Sequence, residues 1–139
     1  MQKLNHSRGT GLFLVILLIS VVLVISGVTV RMIFSGQKQA ALALEETQAF
    51  YLAEAAIELG KVKLAATAGW FTDIEHPENK EWLISEAAGF VGEMGKGKYK
   101  VVRIKDKNIL YGIGFLNNSR CVLKVEYSLP IKSESFIKL

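Results

Sequence analysis

The sequence has few of the residues on which small exported enzymes and disulfide-bonded domains depend. Its 139 residues include one cysteine, two histidines and two prolines. Cys121 has no second cysteine to pair with, so an exported domain of this chain holds no intramolecular disulfide and depends on packing. His6 and His76 lie far apart and match no spacing typical of a metal site or a Ser-His-Asp triad. The sequence therefore predicts no catalytic, metal or cofactor site, and a protein that is not an enzyme.

Two local patterns resemble chemical motifs without matching them. The glycine-rich run GEMGKG lacks the spacing of a phosphate-binding loop, because five residues separate Gly89 from Gly95 and Lys96 is followed by glycine rather than serine or threonine. We expect a turn there. Glu54 and Glu58 stand four residues apart on a predicted helix, but with the lysines around them they form an ordinary charged helix face.

Charge is absent from residues 10–30. Fifteen of these 21 residues are Leu, Ile, Val or Phe, each of which favours membrane insertion by roughly 0.3–0.6 kcal/mol near the bilayer centre. A helix of this length covers about 30 Å, the thickness of the hydrocarbon core. A secretory signal peptide is the alternative, but its apolar core is shorter and ends in a small-residue cleavage site, which Thr29, Val30 and Arg31 do not supply. The segment predicts a transmembrane helix.

Positive charge is distributed unevenly along the chain. Lys3 and Arg8 precede the apolar segment, which predicts a single pass through the inner membrane with the N-terminus in the cytoplasm. Residues 32–97 carry 5 Lys and 10 Asp or Glu, whereas residues 98–139 carry 9 Lys or Arg and 3 Asp or Glu. A basic part of this kind suits nucleic acid, anionic lipid or an acidic subunit, yet lysines on a solvated sheet face explain it equally well. Nucleic acid stays open as a partner, with no stacking motif to support it.

The segment that follows the membrane span has the composition of a long helix. It contains no proline between residues 31 and 68, and ten alanines between residues 40 and 68. Apolar residues recur there at three- and four-residue spacing, namely Leu44, Tyr51, Ala55, Leu59, Val62 and Ala66. The pattern predicts that the helix continues from the membrane with this stripe as its apolar face, and that Gly69 caps its C-terminal end.

The remaining residues predict a small globular part. A short helix is expected over residues 77–88, with Pro77 in its first turn and Gly89 beyond its end. Three antiparallel strands are expected over about residues 98–105, 108–116 and 120–129. In the third strand one face consists of Cys121, Leu123, Val125, Tyr127 and Leu129, with Val122 out of place on the other; in the second strand the apolar face consists of Ile109, Tyr111, Ile113 and Phe115. The predicted fold class is α+β, in which the distal half of a long N-terminal helix covers the single apolar face of a small three-stranded sheet and buries Cys121.

Two segments carry a family resemblance. RGTGLFLVILLIS (8–20) and QAFYLAEAAIELGKVKL (48–64) resemble the N-terminal region of minor pilins of the PilX type, in the type IV pilus and type II secretion superfamily, over roughly residues 7–66. The resemblance implies a pilin-like fold and four parts: a prepilin leader over 1–9, a transmembrane and filament-core helix over 10–33, an extracytoplasmic amphipathic helix over 34–69 and a β-rich head over 70–139. It also implies cleavage by a prepilin peptidase after Gly9, which leaves Thr10 as a new N-terminus open to methylation.

The fifth residue after that cleavage is Leu14, where most such subunits have a glutamate. In the family this acid is thought to pair with the terminal amine of a neighbouring subunit, and a subunit without it resembles the K-type minor pseudopilin of a filament tip. The resemblance thus implies a subunit that initiates, primes or caps a type IV pilus or a type II secretion pseudopilus, with other pilin-like subunits, the assembly platform and the membrane as partners. The alternative is a permanently membrane-anchored binding module whose basic head takes DNA or a secreted substrate.

Overall fold

The computed structural model describes residues 6–76, 78–127 and 134–139, and the side chains of 11–76, 78–127 and 137–139. Two helices and five strands follow one another along the chain: α1 (His6–Ala66), α2 (Lys80–Ser85), β1 (Phe90–Met94), β2 (Gly97–Val102), β3 (Ile109–Leu116), β4 (Ser119–Tyr127) and β5 (Glu134–Lys138). The predicted α+β class with a long N-terminal helix is confirmed. The chain divides into two compact units, an N-terminal unit (Met1–Ala41) and a C-terminal unit (Leu42–Leu139).

The sheet of the C-terminal unit is an antiparallel meander in which spatial order equals chain order, β1-β2-β3-β4-β5. The expectation of three strands is therefore wrong in number, although β2, β3 and β4 fall where the three were predicted. Residues 103–105 leave the ladder after β2, and the end of the predicted third strand at Leu129 lies outside the described residues. The connector after α1 adds a parallel bridge between Asp73 and Ile104 at this point.

The composition of β1 explains why the sequence did not predict this strand. Its five residues contain Gly92 and are mostly exposed, so they show neither the alternation nor the β-branched content that marks a strand. The turn predicted from the GEMGKG run is confirmed but narrower, since Met94 pairs with Gly97 across the two residues Gly95 and Lys96. Gly95 has a φ of 61°, which suits the first central position of a II′ hairpin turn.

Helix α1 contributes a different stripe to the core than its spacing predicts. The residues that it buries in the C-terminal unit are Ala49, Leu52, Ala53, Ala56, Ile57, Gly60 and Leu64. Leu44, Tyr51 and Val62 of the predicted apolar stripe are instead 58%, 62% and 65% exposed. Both sets of residues obey helical periodicity. The buried set contains alanines and Gly60, whose small size allows the helix backbone to approach the sheet closely.

Helix α1 packs against the face of β3 that carries Gly112 and Gly114. A Cβ built on Gly112 would overlap the backbone carbonyl oxygen of Ala53, and one on Gly114 would overlap that of Ala49. The predicted single apolar face is therefore wrong for β3: Tyr111 and Ile113 point to the opposite face, where they form a second core with α2 and Val122. Both faces of β3 and β4 are covered, and this accounts for Val122, which the prediction of a single apolar face left unexplained.

The predicted third strand is confirmed as β4 over its described residues. Cys121, Leu123 and Val125 are 3%, 2% and 0% exposed and pack against Ala49, Ala53 and Ile57 of α1. Tyr127 is buried in a neighbouring cluster with residues of α1 and β2. In the β3–β4 ladder Gly112 lies opposite Leu123 and Gly114 lies opposite Cys121. Directly paired residues share a face of the sheet, so helix α1 covers the glycines of β3 and the apolar residues of β4 together.

The ends of both helices differ from expectation. Helix α1 ends at Ala66, and Gly69 lacks the left-handed φ of a glycine cap. Helix α2 is shorter than predicted because the side chain of Asn79 accepts a hydrogen bond from the Trp82 backbone N–H and fixes its start; the predicted first-turn Pro77 lies outside the described residues. Glu86 N and Ala87 N both donate to Trp82 O and close its end.

A buried arginine ties the connector to the sheet. Arg103 is 7% exposed, and its Nη1 donates to the backbone oxygens of Ala68, at 3.1 Å, and Trp70. Its backbone N–H donates a further hydrogen bond to the Thr72 hydroxyl oxygen at 2.8 Å. The chain that leaves α1 is thus held against the end of β2.

Candidate functional site: the apolar helix and the exposed surfaces of the C-terminal unit

The N-terminal unit exposes every large apolar side chain that the structure describes in it. Between Leu12 and Phe34 these side chains are 48–70% exposed. The polar residues of the stretch are satisfied within the helix, because Ser20, Ser26 and Thr29 donate to the carbonyl oxygens of Ile16, Val22 and Ile25 at 2.8–2.9 Å. Among the described residues this is the helix that is long and apolar enough to cross a membrane, and the hydroxyls of Ser20, Ser26 and Thr29 would meet no lipid unpaired.

The predicted processing junction lies inside this helix. Gly9 and Thr10 are part of α1. Leu14 is 62% exposed and lies in a run without charged residues that extends to Arg31. Whether the chain is cleaved between Gly9 and Thr10 stays a prediction.

The C-terminal unit leaves an apolar stripe of α1 uncovered. Leu44, Tyr51 and Val62 are spaced seven and eleven residues apart, which places them on one side of a helix. That side faces away from the sheet, since the buried residues of α1 occupy the other. The predicted stripe is therefore exposed at Leu44, Tyr51 and Val62, whereas its member Leu59 is half-buried and packs against the core.

Part of the excess positive charge of the C-terminal part is paired or buried in the described residues. Lys98 pairs with Glu93 at 3.1 Å, Lys107 with Glu78 at 2.7 Å and Lys124 with Glu126 at 2.9 Å. Two further cations, Lys100 and Arg103, are buried.

Buried titratable groups in this unit serve packing. Burial lowers the pKa of Lys100 below its usual range, an effect that Asp73 opposes, and Lys100 Nζ donates to Ile84 O at 3.4 Å. Asp73 in turn accepts from the backbone N–H groups of Ile74 and Ala88. Burial raises the pKa of Cys121, which keeps the thiol protonated and unreactive.

Two further polar side chains with possible chemistry, those of His76 and Tyr111, also have structural partners. His76 Nε2 lies 3.4 Å from Asp73 Oδ1, and its ring lies 5.0 Å from that of Trp82. Tyr111 donates its hydroxyl to Glu78, which also holds Lys107. Within the described part of the chain, no three His, Cys, Asp or Glu residues gather as metal ligands.

Comparison with known proteins identifies no relative. No family model matches the sequence, and no curated protein or solved structure matches the chain.

Proposed function

We propose that this chain is a minor pilin-like subunit that initiates, primes or caps an extracytoplasmic filament of the type IV pilus or type II secretion kind. The observation that carries the proposal is that the two halves of α1 differ in burial. Residues 12–34 bury nothing within the chain, whereas residues 49–64 build the core of a small α+β unit. A membrane anchor that later packs against its own kind needs such an exposed apolar segment.

Several features support a helix designed to meet other helices. Residues 12–30 carry no charge, and their hydroxyls are hydrogen-bonded within the helix, so this segment suits either lipid or a bundle of like helices. The exposed stripe of Leu44, Tyr51 and Val62 offers a further contact beyond the membrane. A permanently anchored binding module needs the apolar membrane segment but not the exposed stripe.

Processing tests the proposal most directly. Co-expression with a prepilin peptidase should remove residues 1–9, which intact mass spectrometry measures to the residue. We expect Gly9→Val to block cleavage because a branched side chain would adjoin the scissile bond, while Gly11→Val leaves it intact. A product that stays full length, or one cut beyond Val30, contradicts the pilin-like assignment and favours the permanently anchored binding module.

Leu14 suggests a place at a filament end. An acid in the apolar stretch costs roughly 2.5–3.5 kcal/mol unless paired, and a subunit joining below another would use it to compensate the terminal amine of its predecessor. Without that acid the chain can be first in line and still receive later subunits at its own Thr10 amine. We expect Leu14→Glu to insert normally and to raise incorporation along the shaft. Quantitative mass spectrometry of sheared filaments measures this, and a copy number near that of the major subunit contradicts a tip position.

The basic-module alternative has less support from the described side chains. Lys98, Lys107 and Lys124 pair with carboxylates and Lys100 is buried, so these four lysines do not offer free cations to a ligand. Electrostatic DNA binding would need unpaired cations in a row.

A further inference from the structure

Helix α1 covers the sheet unequally and leaves β1 bare. Gly97 of β2 lies under Leu52, as a Cβ placed there would overlap that side chain, and Val101 packs with Ala56 and Leu64. Beyond β2 the cover stops. Phe90, Val91 and Met94 of β1 are 41%, 58% and 55% exposed.

An apolar groove runs between this flank of α1 and β1. Met94, Gly92 and Phe90 pair with Gly97, Tyr99 and Val101, so they lie on the helix side of the sheet. At one end the groove is lined by Tyr51 and Leu52 of α1 and by Met94, Lys96 and Gly97 of the hairpin. At its middle the Tyr99 side chain occupies the space beside Gly92, where any Cβ would overlap it.

The outer edge of β1 has open hydrogen-bonding groups. Met94 and Gly97 flank a two-residue turn, and in such a hairpin the flanking pair is hydrogen-bonded, as is every second pair after it. Val91 and Glu93 therefore direct their backbone N–H and C=O groups away from β2. In the described part of the chain no strand pairs with that edge. It contains neither proline nor lysine, the residues that usually protect a free edge.

Charge at the groove has one sign. Lys96 lines the end next to the turn, and Lys63 Nζ lies 5.1 Å from the centre of the Phe90 ring at the other. The acid of β1, Glu93, is on the opposite face and pairs with Lys98. Along α1, Glu45 accepts from Asn117 Nδ2 at 2.8 Å and Glu58 pairs with Lys61 at 2.7 Å. The groove is thus apolar in its middle and positive at both ends.

We propose that β1 and this groove form a docking site for an extended segment of a partner polypeptide, apolar in its middle and acidic at its ends, which adds to the sheet as a sixth strand. The backbone of the segment satisfies Val91 and Glu93. Its alternate side chains fill the groove over Tyr99 and Gly92, between Phe90 and Met94. Its terminal carboxylates meet Lys63 and Lys96. Strand addition of this kind derives affinity from main-chain hydrogen bonds and specificity from the alternate side chains. The site does not depend on the chain being a filament subunit.

A synthetic peptide tests the site on the full chain in detergent micelles. The probe is a fluorescein-labelled heptapeptide of the order Glu, Thr, Val, Thr, Val, Thr, Glu, in which the valines and the glutamates share one face of the strand. We expect saturable binding by fluorescence anisotropy. A peptide with lysines in place of the glutamates should bind at least about tenfold more weakly, and a peptide N-methylated at alternate residues should not bind below roughly 1 mM.

Three variants separate the parts of the argument. Val91→Pro removes one outward N–H without breaking the β1–β2 ladder, since proline is tolerated on an edge, and should weaken binding at least about tenfold. Val91→Thr keeps that N–H and should bind within about twofold of the natural chain. Lys96→Glu should weaken the glutamate peptide and strengthen the lysine peptide. Tryptophan fluorescence of each variant in urea checks that it is folded.

Three results would overturn the proposal. The first is the absence of saturable peptide binding, and the second is equal affinity of the natural and Val91→Pro chains for the peptide. The third is equal affinity for the N-methylated and unmethylated peptides, which would mean that the peptide binds in the groove without adding a strand. Self-association that Val91→Pro abolishes, without peptide binding, would assign the edge to a second copy of this chain and also overturn the acidic-segment proposal.

Discussion

The contact between α1 and the two glycines of β3 makes a quantitative prediction. Gly114→Ala places a methyl group against the backbone of α1, on the carbonyl oxygen of Ala49 and 2.8 Å from Ala53 N. Backbone atoms cannot rotate away as a side chain can, so the helix must lift from β3 or the strand must bend. Overpacking of this kind costs about 1–3 kcal/mol, against a gain of about 0.4–1 kcal/mol from the lower entropy of the unfolded chain.

The net expectation is a loss of about 1–2 kcal/mol in the free energy of unfolding of the C-terminal unit. For a unit of about a hundred residues this lowers Tm by roughly 4–16 °C. Urea denaturation of the full chain in detergent measures it, because Trp70 and Trp82, the two tryptophans of the chain, are partly buried in this unit. The midpoint should fall by roughly 0.5–1 M urea, given a slope of about 2 kcal/mol/M.

Gly69→Ala is the matched control. Its Cβ would have nothing within 4 Å and its φ is not positive, so only the unfolded-state term remains and stability should stay equal or rise by up to about 1 kcal/mol. If both variants change stability in the same direction and by similar amounts, the close approach of helix and strand is wrong. Gly112→Ala should behave like Gly114→Ala, since it meets the backbone of Ala53 in the same way.

Three further predictions concern buried polar groups of the C-terminal unit. Cys121 should react slowly with maleimide in the folded chain and rapidly in denaturant, because it is 3% exposed and burial raises its pKa; fast native labelling would mean that β4 is turned over. Arg103→Met should lower the free energy of unfolding by about 2–4 kcal/mol, since the carbonyl oxygens of Ala68 and Trp70 lose their donor, and a urea midpoint unchanged from the natural chain contradicts this role. Burial lowers the pKa of Lys100, so between the folded value and 10.5 the unfolded chain binds more protons and stability rises with pH. Lys100→Met should therefore stabilise the unit at neutral pH and lose that advantage as the pH rises through this window, and a gain that does not change with pH would point to packing instead.

Local pattern predicted the elements whose signal is contained in their own residues. The charge-free stretch before Arg31 identified the membrane-length helix, because a bilayer selects length and polarity without reference to any neighbour. The alternation of Cys121, Leu123 and Val125 identified both β4 and its buried face. The α+β class followed from the same two periodicities, 3.6 for helix and 2 for strand.

Which of two possible stripes of α1 is buried depends on the sheet that packs against the helix. Leu44, Tyr51 and Val62 recur at helical spacing, and the sequence favoured them. The stripe containing Ala49, Ala53 and Gly60 is buried instead, because β3 offers Gly112 and Gly114 to it and two backbones pack closely there. That match is between residues distant in sequence, and neither helix nor strand reveals it alone.

The edges of the sheet were likewise decided by tertiary structure. Strand β1 has little intrinsic β signal, and its ladder exists because β2 supplies the partner. Its exposed edge and the groove beside α1 arise only once the helix is seated off-centre on the sheet. The sequence by itself determined a membrane-length helix and the central strands, since these follow from hydrophobic period and length. Only the tertiary structure decided which helix face is buried and which edge stays open, because both depend on how closely small residues let two backbones approach.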